Sequence, residues 1–221
     1  MRIDPPKTVQ VMPQKTPEKI GIMADSHGDP EAIATGAVFL KQRACTSLYH
    51  LGDICDSTLP KTADDCVAQI KNHGIVAVKG NNDHTLAADA SGRSDSGIRR
   101  ETIAFLENLP LCLSVGSAKL VHSRPFVRRL GLSAMIGAMG QHEAADFFRQ
   151  NPNGLLFRGH SHKPEIISRR GKKIRFFFPP EGLVIELADQ RPCIITCGAL
   201  TSGFVMIWEP GSDRLASCTF T

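Results

Sequence analysis

The chain has 221 residues, of which 42% are hydrophobic and 22% are charged, a composition typical of a soluble globular domain. Its formal net charge is +4, and residues 1–19 supply +2 of it, so the charge gives no clear nucleic-acid signal. No apolar run reaches the ~20 residues of a membrane span, and no secretory signal is apparent. The seven cysteines include no Cys-x-x-Cys pair, which favours reduced thiols and a cytoplasmic protein.

Four prolines among polar residues predict a mobile tail over residues 1–19, followed by a single domain over 20–221. The apolar run 20–24 is typical of a buried strand. Asp29 and Pro30 then predict the N-cap and the first residue of a helix that continues to about Gln42. The alternation continues with a strand over 47–51, a helix over 62–73 and a strand over 75–78. Strands that alternate with helices indicate parallel βαβ units.

The second half of the chain is richer in β-structure. We predict a helix over 97–108, a hairpin of 111–115 with 119–121, a helix over 141–150 and a strand over 155–158. Short apolar runs broken by Gly and Pro then indicate strands at 176–178, 184–187, 193–196, 204–208 and 216–220. The segment 123–154 has two interpretations: a lid over a functional site, or a packed connecting pair of helices.

Five short polar motifs carry the chemistry of the sequence, and most of them follow a predicted strand directly. Because sites in open α/β sheets form beyond the carboxyl ends of the strands, we expect the motifs to meet at one edge. In an extended segment residues i and i+2 face the same side, so the Asp-x-His and His-x-His pairs are predicted to act as pincers. The motifs are Asp25-Ser26-His27, Gly52-Asp53-Ile54-Cys55-Asp56, Gly80-Asn81-Asn82-Asp83-His84, Val121-His122 and Gly159-His160-Ser161-His162.

This set of carboxylates, imidazoles and one amide, without a thiolate, suits Mn, Fe or Zn rather than a structural zinc site. Two such ions a few ångströms apart clamp a phosphoryl group and generate a nucleophile at neutral pH. One carboxylate would have to bridge them, and Asp53 is the candidate. The sequence therefore predicts a metal-dependent hydrolase with two divalent ions per chain, Mn first, with Fe, Zn, Ni or Co as alternatives.

The order of the motifs, Asp-x-His, Gly-Asp-x-x-Asp, Gly-Asn-x-Asp, His and Gly-His-x-His, resembles that of the calcineurin-like metallophosphoesterase superfamily. The short chain is most similar to its small bacterial and archaeal phosphodiesterase branch, from about Ile20 to the C-terminus. The resemblance implies an α/β fold, a four-layer α-β-β-α sandwich of two mixed β-sheets flanked by helices.

The resemblance also implies roles for individual residues. Asp53 would bridge the two metals together with a hydroxide that attacks phosphorus in line, which makes Asp53, Asn81 and His160 catalytic as well as metal-binding. The implied ligands are Asp25, His27, Asp53 and His162 for one metal, and Asp53, Asn81, His122 and His160 for the other.

The chain departs from the family pattern beside the metal-binding Asn. Many relatives have a His there, assigned to protonating the leaving group, whereas this chain has Asn82, which takes that place as a candidate catalytic residue. Loss of such a general acid costs roughly 10²–10⁴-fold where proton transfer matters. His84 is a candidate substitute if the loop stays extended, with a surface or packing role as the alternative. Asp56 is expected to orient its loop, and Asp83 to accept a hydrogen bond from a ligand histidine.

Basic residues after His122 are candidates for contact with substrate phosphate, namely Arg124, Arg128 and Arg129, with a solvated loop as the alternative. The predicted function is a phosphodiesterase acting on a small phosphate ester. The alternatives are a phosphomonoesterase, a dinucleoside-polyphosphate hydrolase, or, in another class, a protein-interaction scaffold like the retromer subunit of similar fold. The sequence predicts no membrane partner and leaves a homo-oligomer open.

Overall fold

The apolar runs of the sequence become the strands of two mixed β-sheets. The computed structural model describes residues 9–10, 19–93 and 95–220. Over these ranges the strands are β1 (Val9–Gln10), β2 (Ile20–Met23), β3 (Ser47–His50), β4 (Val76–Ala77), β5 (Cys112–Val115), β6 (Ala118–Val121), β7 (Leu155–Arg158), β8 (Glu165–Arg170), β9 (Lys173–Phe177), β10 (Val184–Glu186), β11 (Cys193–Thr196), β12 (Phe204–Glu209) and β13 (Arg214–Thr219).

Helices occupy four of the intervals between these strands. Asp29 caps the first helix, since its side chain accepts a hydrogen bond from the backbone of Ala32 at 2.9 Å, as the Asp-Pro pair predicted. In the described residues the helices are α1 (Pro30–Gln42), α2 (Ala63–Asn72), α3 (Asn81–Ala90), α4 (Arg100–Asn108), α5 (Val127–Leu130) and α6 (Gln141–Gln150). None of them combines the length and the apolar character that crossing a bilayer requires.

Each sheet combines parallel and antiparallel pairs. The first has the strand order β10-β13-β12-β2-β3-β4, and β2, β3 and β4 are parallel neighbours. The second has the order β1-β5-β6-β7-β11-β8-β9, in which β6, β7 and β11 run parallel. The carboxyl ends of these parallel strands are where the five motifs begin.

Four layers result, as the resemblance implied. Helices α1 to α4 pack on the outer face of the first sheet through residues such as Leu40, Val67 and Leu106. Alternate residues of both sheets, among them Ile22 and Phe157, form the core between the sheets. Helix α6 covers the outer face of the second sheet, where Phe147 and Phe148 pack. The α-β-β-α sandwich of two mixed sheets is therefore confirmed.

The segment 123–154 contains α5, α6 and a 3₁₀ helix, Gly131–Met135. Its apolar side chains, including Phe126 and Met139, pack with Ile167 and Ile194 on the second sheet. These are the contacts of a connecting segment packed on the sheet, and its role as a lid stays a prediction. In the predicted tail, Val9–Gln10 pair parallel with β5, while residues 1–8 and 11–18 lie outside the described ranges.

Two elements differ from the sequence prediction. Residues 81–90, expected to begin as a loop, form helix α3 directly after Gly80. Residues 165–177 form a β-hairpin, β8 with β9, of which the sequence showed only the apolar end. In both cases the polar side chains mask the pattern, because an exposed helix face and an edge strand need few apolar residues.

Candidate metal centre

The predicted ligands converge where the two sheets present the ends of their parallel strands. Asp25 and His27 follow β2, Asp53 follows β3, and Asn81 begins the helix after β4. From the second sheet, His122 follows β6, and His160 and His162 follow β7. Three strands of one sheet and two of the other thus bring seven residues that are up to 137 positions apart in sequence into one cluster.

Two groups of three residues have ligand atoms that all lie within 4.8 Å of one another. The first group is Asp25, His27 and His162, in which the two Nε2 atoms of the histidines are 2.9 Å apart. The second group is Asp25, Asp53 and His122. Asp25 belongs to both groups, and its fully buried carboxylate also accepts a hydrogen bond from the backbone N–H of His160 at 2.9 Å.

Asp53 lies between the two sets of histidines. Its Oδ2 atom is 3.9 Å from Nε2 of His27 and 3.5 Å from Nε2 of His122. The remaining two ligands meet His122 as well: its Nε2 is 3.1 Å from Oδ1 of Asn81 and 3.2 Å from Nδ1 of His160. The structure therefore brings all seven predicted metal ligands together, with Asp53 at the centre.

The proton positions of His122 make this cluster electron-rich. Its Nδ1 lies 2.8 Å from the carbonyl oxygen of Leu51, which can only accept, so Nδ1 carries the proton and Nε2 presents a lone pair. That lone pair faces the amide oxygen of Asn81 and the carboxylate of Asp53. A set of converging lone pairs in a buried site is what a divalent cation requires, so the residues fit the metal.

The pKa values follow from the same electrostatics. Burial alone would raise the pKa of Asp53, yet the neighbouring imidazole of His122 and the hydrogen bonds from Asn82 hold it well below its usual range. Burial would lower the pKa of His122, but Asp53 and Asp25 raise it overall. Burial raises the pKa of Asp25 to about 6, and burial together with His122 lowers the pKa of His160 to about 4. The site attracts positive charge at its centre.

The backbone of the ligand loops is left-handed at five positions. The prediction that the Asp-x-His and His-x-His segments are extended is therefore wrong. The φ angles are +57° at Asp25, +44° at His27, +55° at Asp53, +71° at His160 and +59° at His162. For a residue with a Cβ this conformation costs about 1–2 kcal/mol. Such strain persists only where the surroundings over-determine it, which is typical of functional sites.

Asp83 is part of what holds these loops. It is fully buried and accepts hydrogen bonds from the backbone N–H groups of Asp53, Cys55 and Gly80, at 3.0, 2.9 and 2.9 Å. The expectation that Asp83 accepts from a ligand histidine is therefore wrong, because its acceptor sites face backbone groups. Asp56 does orient its own loop, since it accepts from the backbone and hydroxyl of Thr58, both at 2.7 Å.

Asn82 and His84 occupy different surroundings. Asn82 forms two hydrogen bonds with the carboxylate of Asp53: its backbone N–H donates to Oδ1 at 2.9 Å and its side-chain amide donates to Oδ2 at 2.8 Å. His84 lies one turn into helix α3, so the extended loop that its candidacy as general acid required is not formed. Its catalytic role stays a prediction.

The three candidate arginines lie in the segment after His122. Arg124 pairs with Glu143 at 3.5 Å and Arg129 with Asp146 at 3.3 Å, both acids belonging to helix α6. Arg128 is exposed on α5. Two of the three therefore already have a carboxylate partner, and contact with substrate phosphate stays a prediction.

Comparison with known proteins agrees with this geometry. Residues 19–197 match the calcineurin-like phosphoesterase superfamily domain. The chain belongs to this superfamily. Membership implies phosphoester hydrolase activity, and the superfamily typically binds divalent metals.

Solved structures show the same fold at low identity. A metallophosphoesterase from Sphaerobacter thermophilus is 22% identical over 92% of this chain and 88% of that chain, with a TM-score of 0.73. A protein serine/threonine phosphatase from Saccharomyces cerevisiae is 15% identical over 97% of this chain and 84% of its own, with a TM-score of 0.56. No curated protein gives a significant match.

Sequence reasoning gave no functional role to two buried polar groups that lie beside the centre. Ser26 accepts or donates a hydrogen bond at 3.0 Å with Nε2 of fully buried His50, and its hydroxyl also lies 3.0 Å from the carbonyl oxygen of Ile54. Arg158, 1% exposed, donates to the carbonyl oxygen of Ser123 at 3.0 Å and to the hydroxyl groups of Ser161 and Thr196. The signal for Arg158 was a cation at the end of an otherwise apolar strand.

Proposed function

We propose that this superfamily member is a phosphodiesterase that requires two divalent metal ions and hydrolyses a phosphate diester by in-line attack of water on phosphorus. The observation that carries the proposal is the position of Asp53. Its Oδ2 lies within 4 Å of His27 and of His122, which belong to the two different ligand sets. A carboxylate in that position is suited to bridge a pair of cations.

The chain's own residues would hold the ions as two overlapping sets. Asp25, His27, Asp53 and His162 form the first, and Asp53, Asn81, His122 and His160 form the second. When bound, two such ions stabilise charge on the phosphoryl oxygens and lower the pKa of the attacking water. Mn is the first choice, with Fe, Zn, Ni or Co as alternatives for a site of carboxylate, amide and imidazole ligands.

The protein prepares these ligands for binding at neutral pH. The hydrogen bonds from Asn82 keep Asp53 ionised and fix the orientation of its carboxylate. The carbonyl oxygen of Leu51 fixes the tautomer of His122, and the low pKa of His160 keeps its imidazole neutral. Because Asp53 and His160 are already deprotonated, they bind a cation without the cost of losing a proton.

Asn82 also bears on the choice of substrate. Because its amide is directed at Asp53, it is a positioning residue and leaves no general acid at this place. Esters with leaving groups of low pKa depend least on such an acid, so we expect aryl and other activated diesters to be the best substrates.

The test is hydrolysis of bis-nitrophenyl phosphate by the purified protein with and without Mn, combined with elemental analysis. We expect about two metal ions per chain and turnover that falls at least about 10³-fold in Asp53→Asn and His160→Ala. Exposed residues of the same types provide the matched controls, Asp65→Asn and His142→Ala. Absence of turnover with each of Mn, Fe, Zn, Ni and Co would contradict the proposal and favour the scaffold.

A further inference from the structure

The β8–β9 hairpin concentrates the positive charge of this molecule. Residues 163–178 contain six basic residues and one acid, a net charge of +5, whereas the whole chain carries +4. The rest of the protein is therefore close to neutral. Such a local concentration of charge indicates a polyanionic partner where several of the cations share one face. The basic residues are Lys163, Arg169, Arg170, Lys172, Lys173 and Arg175.

These cations have no carboxylate partner among the described residues, whose ion pairs all involve other basic side chains. The same hairpin exposes three consecutive aromatic rings: Phe176, Phe177 and Phe178 are 43, 47 and 63% exposed. A cluster of exposed rings is unusual on the free surface of a monomer, and cations beside such rings are typical of surfaces that bind single-stranded nucleic acid.

One face of the hairpin carries both kinds of group. Cross-strand partners share a face, and the register pairs Arg170 with Lys173, Ser168 with Arg175 and Ile166 with Phe177. From the turn toward the metal centre, this face therefore presents two cations, then a third, then an aromatic ring. Ile166 and Ser168 are buried, so the exposed track runs along β9, whose five residues span about 17 Å.

The track ends at the metal centre. Strand β8 follows His162 by two residues, and a cavity of about 620 Å³ connects this ligand with the base of the hairpin. Its lining includes His162, Lys163, Phe178, Pro180 and Phe204. A chain of phosphodiesters that binds along the hairpin would thus bring one of its phosphates beside a proposed ligand of the metals.

The arrangement favours a polynucleotide over a membrane surface. A hairpin that inserts into lipid needs its apolar side chains at the tip, where they enter the bilayer. Here the turn holds Gly171 and Lys172 flanked by Arg170 and Lys173, and the three Phe rings lie at the opposite end, next to the centre. Charged groups at the tip and rings near the site suit phosphates and bases.

We propose that the β8–β9 hairpin binds single-stranded polynucleotide and directs one of its phosphodiesters to the metal centre. The binding half of this inference stands on the hairpin alone, and the substrate half rests on the proposed function. Arg170, Lys173 and Arg175 pair with phosphates, and Phe177 and Phe178 stack on bases.

The experiment measures binding of a fluorescein-labelled oligothymidylate to the full chain by anisotropy, in chelator so that no turnover occurs. The variant Arg170→Gln/Lys173→Gln/Arg175→Gln removes three phosphate contacts. We expect at least about tenfold weaker binding and a salt dependence, as slope of log K on log salt, that is shallower by about 2. Phe177→Thr should weaken binding about tenfold through lost stacking.

The control Lys61→Gln/Lys71→Gln/Arg100→Gln removes the same charge from the helical side of the first sheet and should change binding less than about twofold. Equal losses in both triple variants, or no loss in Phe177→Thr, would overturn the inference. So would hairpin-dependent sedimentation with phosphatidylserine vesicles in the absence of oligonucleotide binding. Thermal unfolding of each variant confirms that it is folded.

The two proposals fail in different ways. If the wild-type protein binds the oligonucleotide through the hairpin but cleaves neither it nor the nitrophenyl diester with added metal, the proposed function fails and the binding site stands. If it cleaves the small diester but shows no hairpin-dependent binding, the inference fails and the phosphodiesterase stands.

Discussion

Single atoms decide how closely the loops of the centre approach one another. Gly80 is the clearest case at the scale of the residue, because its φ of −94° is open to any residue, yet its surroundings are not. A Cβ at this position would overlap the backbone nitrogen and Oδ1 of Asp53. Position 80 therefore needs glycine because a side chain has no space there. Position 52 needs glycine for the same reason and because its φ of +90° is unfavourable for other residues.

Gly80→Ala is therefore expected to displace Asp53 and to lower the free energy of unfolding by about 3 kcal/mol, the upper range for an overpacked site. Metal binding should fall with it. Urea unfolding and Mn titration measure the two effects. Gly211→Ala is the matched control, since a Cβ there meets nothing within 4 Å. An alanine variant at 80 with wild-type stability would show that the loops are free to separate.

Buried His50 makes the stability of the protein depend on pH. Burial, with a smaller contribution from His122, lowers the pKa of His50 to about 3, while an unfolded chain would have it near the ordinary 6.5. The folded pKa lies below the unfolded one, so the contribution of His50 to stability is complete above about pH 6.5 and is lost as pH falls. By pH 5 the loss amounts to about 2 kcal/mol.

Replacement of His50 by Gln removes this dependence. In chelator, the stability difference between wild type and His50→Gln should shrink by about 2 kcal/mol from pH 7.5 to pH 5. Urea unfolding at the two pH values measures it, with His142→Gln on the exposed face of α6 as the control. A difference that stays constant with pH would mean that folded His50 accepts a proton at pH 5.

Elements are joined at the centre by buried polar contacts as well as by apolar packing. Arg158 at the end of β7 binds the loop after β6 through Ser123, its own loop through Ser161, and β11 through Thr196. A buried guanidinium of this kind satisfies groups that would otherwise be buried without partners. Burial lowers its pKa to about 10, which still leaves it charged at neutral pH.

Arg158→Met should lower the free energy of unfolding by about 2–4 kcal/mol, because the hydroxyl of Thr196 and the carbonyl of Ser123 lose their partner while buried. Chemical unfolding in the presence of chelator isolates this effect from metal affinity. Arg175→Met, at an exposed position of the edge strand, provides the comparison. If the two variants are equally stable, the network around Arg158 does not hold the loops.

At the scale of the whole molecule, the centre connects the two sheets. Asp25, Asp53 and Asn81 come from the first, and His122 and His160 from the second, so an ion held by all of them would bind only when both sheets are in place. A ligand that binds the folded state alone raises its stability by mass action, by about 2.7 kcal/mol at a concentration 100 times its dissociation constant.

Saturating Mn should therefore raise the free energy of unfolding by about 3 kcal/mol or more per site over the chelated protein, with a corresponding rise in Tm. Thermal and chemical unfolding with and without Mn test this. Asp25→Asn should abolish most of the rise, while Asp65→Asn on α2 should preserve it. No change with metal in the wild type would contradict a centre shared between the sheets.

Local sequence was sufficient for much of the architecture. The Asp29-Pro30 pair specified the start of α1, and the glycine after α2 specified its end, because capping depends on a few neighbouring residues. The order of the five motifs after apolar runs led to the seven candidate ligands that the fold brings together, since strands that run parallel must end at the same edge.

Tertiary structure decided the backbone conformation of the ligand loops and the pairing of side chains in the β8–β9 hairpin. The left-handed backbone at Asp25 and Asp53 arises from contacts between loops 27 or more residues apart, such as the hydrogen bonds of Asp83 to Asp53 and of Ser26 to Ile54. The basic face of the β8–β9 hairpin exists only through its register, which places Arg170 beside Lys173 and Phe177 beside Ile166. A pattern along the chain gives the period of an element, whereas the partner of each side chain is fixed only when the elements pack.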